Sequence, residues 1–214
     1  MDTVVLVSGR GSNLRAICAA IDEGRCGARI VGVVSDRRKA AALEFAADRG
    51  IPTKVVPLKK GDDRNQWNVV LQREVASFQP QLVVLAGFMR ILGGSFVEAF
   101  RGRIINVHPA LLPAFPGHDG PSAALRGGVR ISGCTVHVVD DGVDTGPIIA
   151  QAAVPVLTND TRDTLHARIQ VQEHRLLPEV VAWIARGDIE LDPLRVNVPS
   201  TDAASALLVP SRSS

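Results

Sequence analysis

Asn106 and His108 stand two residues apart at the end of the apolar run Ile104–Val107. That spacing puts both side chains on one face of a strand, at the end where open α/β sheets keep their ligand crevice. A carboxamide beside an imidazole can polarise a carbonyl and hold the oxyanion formed when a nucleophile adds to it. This is acyl-transfer chemistry without an enzyme nucleophile: the chain has no Gly-x-Ser-x-Gly elbow and sets no cysteine beside a histidine in an evident active-site loop. The acidic segment Asp140-Asp141-Gly142-Val143-Asp144-Thr145-Gly146-Pro147 follows an apolar run ending at Val139 and is expected to open on the same sheet edge as His108. A carboxylate there, Asp144, would favour the charged imidazole and raise the His108 pKa above about 6.5. The loop lacks the spacing of a calcium-binding EF-hand.

A second candidate lies near the N-terminus. The apolar run Val4–Val7 passes into Ser8-Gly9-Arg10-Gly11-Ser12-Asn13-Leu14 and then directly into a helical pattern. At such a turn backbone N–H groups and the helix dipole converge on one point, which makes an anion site suited to phosphate. Glycine at 9 and 11 admits close approach of a phosphate to the backbone, and Ser12 and Asn13 add side-chain donors. Leu14 occupies the place of the third glycine of a dinucleotide fingerprint, and no Gly-Lys-Ser/Thr follows to make a Walker loop.

These residues need a scaffold that brings several loops to one edge. Short β-branched runs separated by longer segments of helical spacing predict an α/β fold: a Rossmann-like, mostly parallel twisted sheet with helices on both faces, in a single domain. Strands are expected at Val4–Val7, Ile30–Val34, Leu82–Ala86, Ile104–Val107 and Cys134–Val139, with a weaker one at Thr53–Val56. A helix is expected over Asn13–Glu23, capped by Ser12, because Leu14, Ile17, Cys18 and Ile21 recur at helical spacing. Others are expected over Lys39–Arg49, ended by Gly50 and Pro52, and over Asn65–Phe78, stopped by Pro80. The longest reads from Thr161 to Arg186, with Leu165, Ile169, Leu176, Leu177, Val180 and Val181 inward, Pro178 as a kink point and Gly187 as C-cap. The folded domain is expected over residues 1–195, and 196–214 reads as a loose tail.

Composition excludes several classes. The 214 residues carry 24 basic and 22 acidic side chains, a net charge of +2, and are 46% hydrophobic. That is enough apolar material for one core, and it excludes a disordered chain. So even a charge balance provides neither a basic surface for nucleic acid nor a polybasic membrane anchor. Met1-Asp2-Thr3 offers no basic leader, and no run approaches about 18 apolar residues, so neither export nor membrane insertion is expected and the location is expected to be cytoplasmic. Cys18, Cys26 and Cys134 fit neither a disulfide framework nor a paired zinc motif and read as buried, reduced thiols.

Four motifs in order carry a resemblance: Ser8-Gly9-Arg10-Gly11-Ser12-Asn13-Leu14, Ala86-Gly87-Phe88-Met89-Arg90-Ile91-Leu92, Asn106-Val107-His108-Pro109-Ala110-Leu111-Leu112-Pro113 and Asp144-Thr145-Gly146-Pro147. Together they make residues 3 to 190 similar to the phosphoribosylglycinamide formyltransferases, folate-dependent enzymes of purine synthesis. The resemblance implies transfer of a formyl group from 10-formyltetrahydrofolate, as co-substrate and without a metal, to the amine of ribosyl glycinamide phosphate. It implies that Asn106, His108 and Asp144 form the catalytic set, and that Gly11, Ser12 and Asn13 hold the substrate phosphate. Gln170 and Glu173 would assist with phosphate and ribose hydroxyls. Met89, Arg90, Ile91 and Leu92, together with Asn106, Asp140, Asp141 and Asp144, would form the folate pocket, and Arg64 would touch the folate. The implied partners are small-molecule substrates, bound by a monomer or homodimer.

One departure is visible. The family carries a histidine at the second position after Pro116-Gly117, whereas this chain has Asp119 there and His118 one residue early, so no role is carried over. His137 falls in an expected strand and stays outside the expected site, while His166, Arg37-Arg38-Lys39 and Lys59-Lys60 read as surface. Related activities point to other layouts: a methionyl-tRNA formyltransferase is expected to add a basic C-terminal domain, and a formyltetrahydrofolate hydrolase an N-terminal regulatory domain. A nucleotide-binding module with Asp36 reading a ribose conflicts with Leu14, and a scaffold protein leaves Asn106, His108 and Asp144 unexplained.

Overall fold

Apolar residues on successive positions of the strands divide between two cores. Val5 and Val7, Leu82 and Val84, and Ile105 and Val107 pack into one; Val4 and Leu6, Val83 and Leu85, and Ile104 pack into the other. A strand with both faces buried in this way belongs to a sheet covered by helices on each side. The computed structural model describes residues 1–192 and Val196. The boundary expected at 195, and the expected tail apart from Val196, lie outside the described residues.

The strands are β1 (Asp2–Val7), β2 (Arg29–Ser35), β3 (Thr53–Val55), β4 (Leu82–Leu85), β5 (Ile104–His108), β6 (Ile131–Val138) and β7 (Ile148–Pro155), in the order β3-β2-β1-β4-β5-β6-β7. From β3 to β5 all neighbours are parallel, and β6 runs antiparallel to both β5 and β7. The helices are α1 (Ser12–Asp22), α2 (Ala41–Asp48), α3 (Arg64–Ala76), α4 (Gly94–Ala99), α5 (Gly120–Arg126) and α6 (Arg162–Arg186). Helices α1, α2, α5 and α6 supply the first core, and α3 and α4 the second. The expected fold class is the one observed.

Helix ends follow local chemistry. Asp63 caps α3 by accepting from the N–H groups of Asn65 and Gln66, and Thr161 caps α6 through Thr164 in a reciprocal box. Helix α6 runs through Pro178 to a left-handed Gly187, and the six side chains expected to face inward are all buried. Each such side chain contributes roughly 1.5–3 kcal/mol on burial. Ser12 does not cap α1; the cap is Gly11, in the left-handed region at φ 75, and no side chain caps the first turn. A Cβ on Gly11 would lie 2.6 Å from that of Ala42, so the close packing of the loop on α2 requires glycine.

Three elements were not expected. Strand β7 is alanine-rich and lies at the sheet edge, where β-propensity is a weak signal. Helices α4 and α5 have six and seven residues, too few to display a helical period.

Candidate active site

Asn106 and His108 leave β5 on the face that α3 and α4 cover farther along the sheet. The antiparallel register of β6 sets His137 opposite Asn106 and Thr135 opposite His108, so this part of the face is polar. The same register overturns one expectation. Val138 pairs with Ile105, so β6 ends away from His108 and the acidic loop leaves from the opposite end of the sheet. Asp144 nevertheless reaches the site because residues 139–147 double back over the polar face. The return is tight: a Cβ on Gly146 would stand 1.9 Å from the Val138 carbonyl oxygen.

Asp144 sits in the left-handed region at φ 57, 12% exposed at its side chain, between four groups. Its Oδ2 lies 3.3 Å from His108 Nδ1 and accepts from the Gly117 N–H at 2.8 Å; its Oδ1 lies 3.5 Å from both His137 Nε2 and Asn106 Nδ2. Burial works against ionisation of Asp144. Contacts with His137, the Gly117 N–H and His108 outweigh it and hold the carboxyl below its usual range.

The histidines are fixed by groups that can only accept. His108 Nε2 lies 2.8 Å from the Phe115 carbonyl, so that nitrogen carries the proton, and a second proton on Nδ1 turns the Asp144 contact into an ion pair. His137 Nδ1 faces the Val138 carbonyl at 2.9 Å, and its Nε2 lies 3.1 Å from Asn106 Nδ2 and 3.5 Å from Asp144 Oδ1. His108 is 3% exposed, and burial is the largest influence on it. Asp144 and the Phe115 carbonyl push the imidazole pKa up, but burial prevails and the net direction is down. The expectation of a raised His108 fails for that reason: the carboxylate is present, and so is the low-dielectric setting that works against charge.

Two hollows meet here. One, of about 360 Å³, is lined by Asn106, His108, His137 and Asp144 and by Arg64, Met89, Arg90, Ile91, Leu92 and Asp140. Arg64 donates to the Ile91 carbonyl at 2.8 Å and thereby braces the 87–92 loop. Asp141 is not brought in; it points to the surface and pairs with Arg101 at 3.3 Å. The other hollow, of about 300 Å³, lies over the turn from β1 to α1 and gathers Gly11, Ser12, Asn13, Gln170 and Glu173. Glu173 is no solvated helix residue: it is 4% exposed, accepts from Asn13 Nδ2 at 2.9 Å, and burial raises its carboxyl pKa. Asn13 Oδ1 is buried without a hydrogen-bond partner in the protein. Gly87, Met89, Val107 and Pro109 line both hollows and form the wall between them. A larger hollow of about 560 Å³ beside β3 and α3 is open and contains none of these residues.

The family model described as formyl transferase matches residues 1–181. The chain belongs to the formyl transferase family. It is 51% identical over 182 residues to the phosphoribosylglycinamide formyltransferase of Mycobacterium tuberculosis, covering 85% of this chain and 84% of that one. With the enzyme of the same name from Escherichia coli it shares 41% identity over 191 residues, 89% of this chain and 90% of that one. The crystal structure of glycinamide ribonucleotide transformylase 1 from Symbiobacterium toebii superimposes with a TM-score of 0.89 at 42% identity, covering 94% of each chain.

Within this formyl transferase, several site residues escaped sequence reasoning. His137 enters through the antiparallel pairing of β6, which no local pattern announces. Arg10, Arg37 and His166 line the anion hollow. The one available signal was the spacing of His166, Gln170 and Glu173 at i, i+4 and i+7, which puts them on one face of α6. His118 lines the hollow beside Asn106, while Asp119 caps α5 by accepting from the Ser122 N–H. The departure from the family motif therefore supplies a helix cap. Among the described residues no group of three or more His, Cys, Asp or Glu side chains is placed to hold a metal ion, and no helix is long and apolar enough to cross a membrane.

Proposed function

We propose that this chain transfers the formyl group of 10-formyltetrahydrofolate to the amine of N1-(5-phospho-β-D-ribosyl)glycinamide, a step of de novo purine biosynthesis. The observation that carries the reading is the shared wall: a hollow with an anion-binding turn and a hollow with Asn106, His108 and Asp144 are separated only by Gly87, Met89, Val107 and Pro109. A phosphorylated acceptor held on one side presents its amine to a formyl carbon held on the other.

Gly11, Ser12 and Asn13 hold the phosphate at the α1 N-terminus, where the first-turn N–H groups are uncapped. Glu173 and Gln170 meet the sugar and phosphate from α6. The folate heterocycle lies against the 87–92 and 140–144 loops, with backbone groups reading its edge. The amine attacks the formyl carbon, and Asn106 and the positive charge of the protonated His108 stabilise the oxyanion. Collapse of the adduct breaks the bond to the folate nitrogen, and the proton lost by the amine is delivered to that nitrogen. Asp144 orients His108 and a relaying water.

Absorbance of tetrahydrofolate formation, followed with and without the ribosyl glycinamide phosphate, tests the proposal in the wild type and in His108→Ala. Turnover is expected to require the acceptor and to fall by about 10²–10⁴-fold in the variant. Equal release of folate without acceptor would replace transfer by hydrolysis.

A further inference from the structure

The two hollows are served by loops that leave neighbouring strands. Strand β1 ends in the anion turn and β4 in the 87–92 loop; the strands pair in parallel, and the Ser8 N–H donates to the Gly87 carbonyl at 3.2 Å. Strand order reverses direction between β1 and β4, so this is the switch point of the sheet. A chain of side chains crosses beneath it. Ser8 Oγ accepts from the Met89 N–H at 2.8 Å and donates to Asp36 Oδ1 at 2.6 Å. Asp36, just past the end of β2, receives Arg90 Nε on Oδ2 at 2.7 Å, and Arg90 Nη2 reaches the Leu58 carbonyl at 3.4 Å.

The Asp36 side chain is 0% exposed and Ser8 is 3% exposed. Burying a carboxylate is costly unless its partners are well placed, so such a group tolerates little displacement of what it binds. Both Asp36 oxygens are engaged and the side chain is fully buried, so it is not exposed to read a ribose. The Arg90 guanidinium is likewise engaged in this chain, by Asp36 and the Leu58 carbonyl.

We propose that Ser8, Asp36 and Arg90 are positioning residues that fix the anion turn and the folate loop at one separation, so that the amine and the formyl carbon meet in register. The inference rests on the formyl-transfer reading. Displacement of about 1 Å between reacting groups can cost about 10²-fold in rate while leaving each partner bound.

The test uses Asp36→Asn, which keeps shape but presents a donor to Arg90, and Ser8→Ala, which removes both Ser8 bonds. In each, kcat is expected to fall by at least about tenfold, while the dissociation constant of each substrate alone stays within about threefold. The double variant is expected to be no slower than the poorer single, as for members of one network. A kcat within about twofold of wild type would overturn the proposal, as would one substrate's affinity falling by the whole loss in kcat/KM. A readout without turnover separates this inference from the reaction. The Trp67 ring stacks on Phe88, centroids 6.3 Å apart and planes at 9°, next to Met89. In a Trp183→Phe background, acrylamide quenching of Trp67 is expected to rise in both variants. If the wild type shows no acceptor-dependent turnover, formyl transfer fails as the reaction; unchanged quenching in the variants would then overturn the positioning role too, and increased quenching would uphold it.

Discussion

His108 is held between the Phe115 carbonyl and the Asp144 carboxylate, and its charge state is a contest between burial and that carboxylate. Asp144→Asn removes the larger of the two influences that favour the imidazolium. In the proposed reaction the protonated imidazole is the active form, so activity is expected to fall as pH rises through the His108 pKa, and losing Asp144 to move that limb to lower pH. The pH profile of kcat/KM measures it; a basic limb left in place would remove the role from Asp144. The spacing of Asn106 and His108 was legible because period two is a property of any strand. The direction of the His108 shift was not, because it depends on 3% exposure, which no neighbour in sequence determines.

Among elements, the least legible in sequence was the one most consequential for the site. Parallel strands leave their loops at one edge, and β1, β4 and β5 obey that rule, which is why the anion turn and the Asn106–His108 pair could be placed beforehand. Strand β6 breaks it. Its antiparallel pairing imports His137 and sends the acidic loop back across the face, and neither outcome has a local sequence signature. Gly146 is where the return is tightest. Gly146→Ala is expected to displace Asp144 and lower kcat by roughly 10²-fold, with the KM of the ribosyl glycinamide phosphate little changed because the anion turn lies on another loop. Steady-state kinetics decide it, and an unchanged kcat would show that the loop accommodates the methyl group elsewhere.

At the scale of the molecule, His108, His166 and His174 are all pushed below the ordinary 6.5 by burial. The unfolded chain therefore takes up these protons at higher pH than the folded one. Their contribution to stability is fully present above about 6.5 and is lost as pH falls toward the folded values. Urea midpoints followed by tryptophan emission are expected to decline from pH 7 to about pH 5. His174, whose buried Nε2 has no partner and whose shift comes from burial alone, provides the cleanest check: His174→Gln should flatten the decline, and an equal slope would assign it to other groups. The layered fold itself was readable from the alternating apolar runs. The order of strands was not, since adjacency of β1 and β4 is decided by packing across the whole sheet.

The doubled-back loop also makes chain length part of the chemistry. Its two ends are tied in the β6–β7 ladder, where His137 faces Ile148. One residue of extended chain spans about 3.3–3.6 Å, comparable to the 3.3 Å between Asp144 and His108. The segment between those ties thus works as a ruler: adding or removing a single residue would keep every side chain of the site in the sequence and still put the carboxylate out of reach of the imidazole.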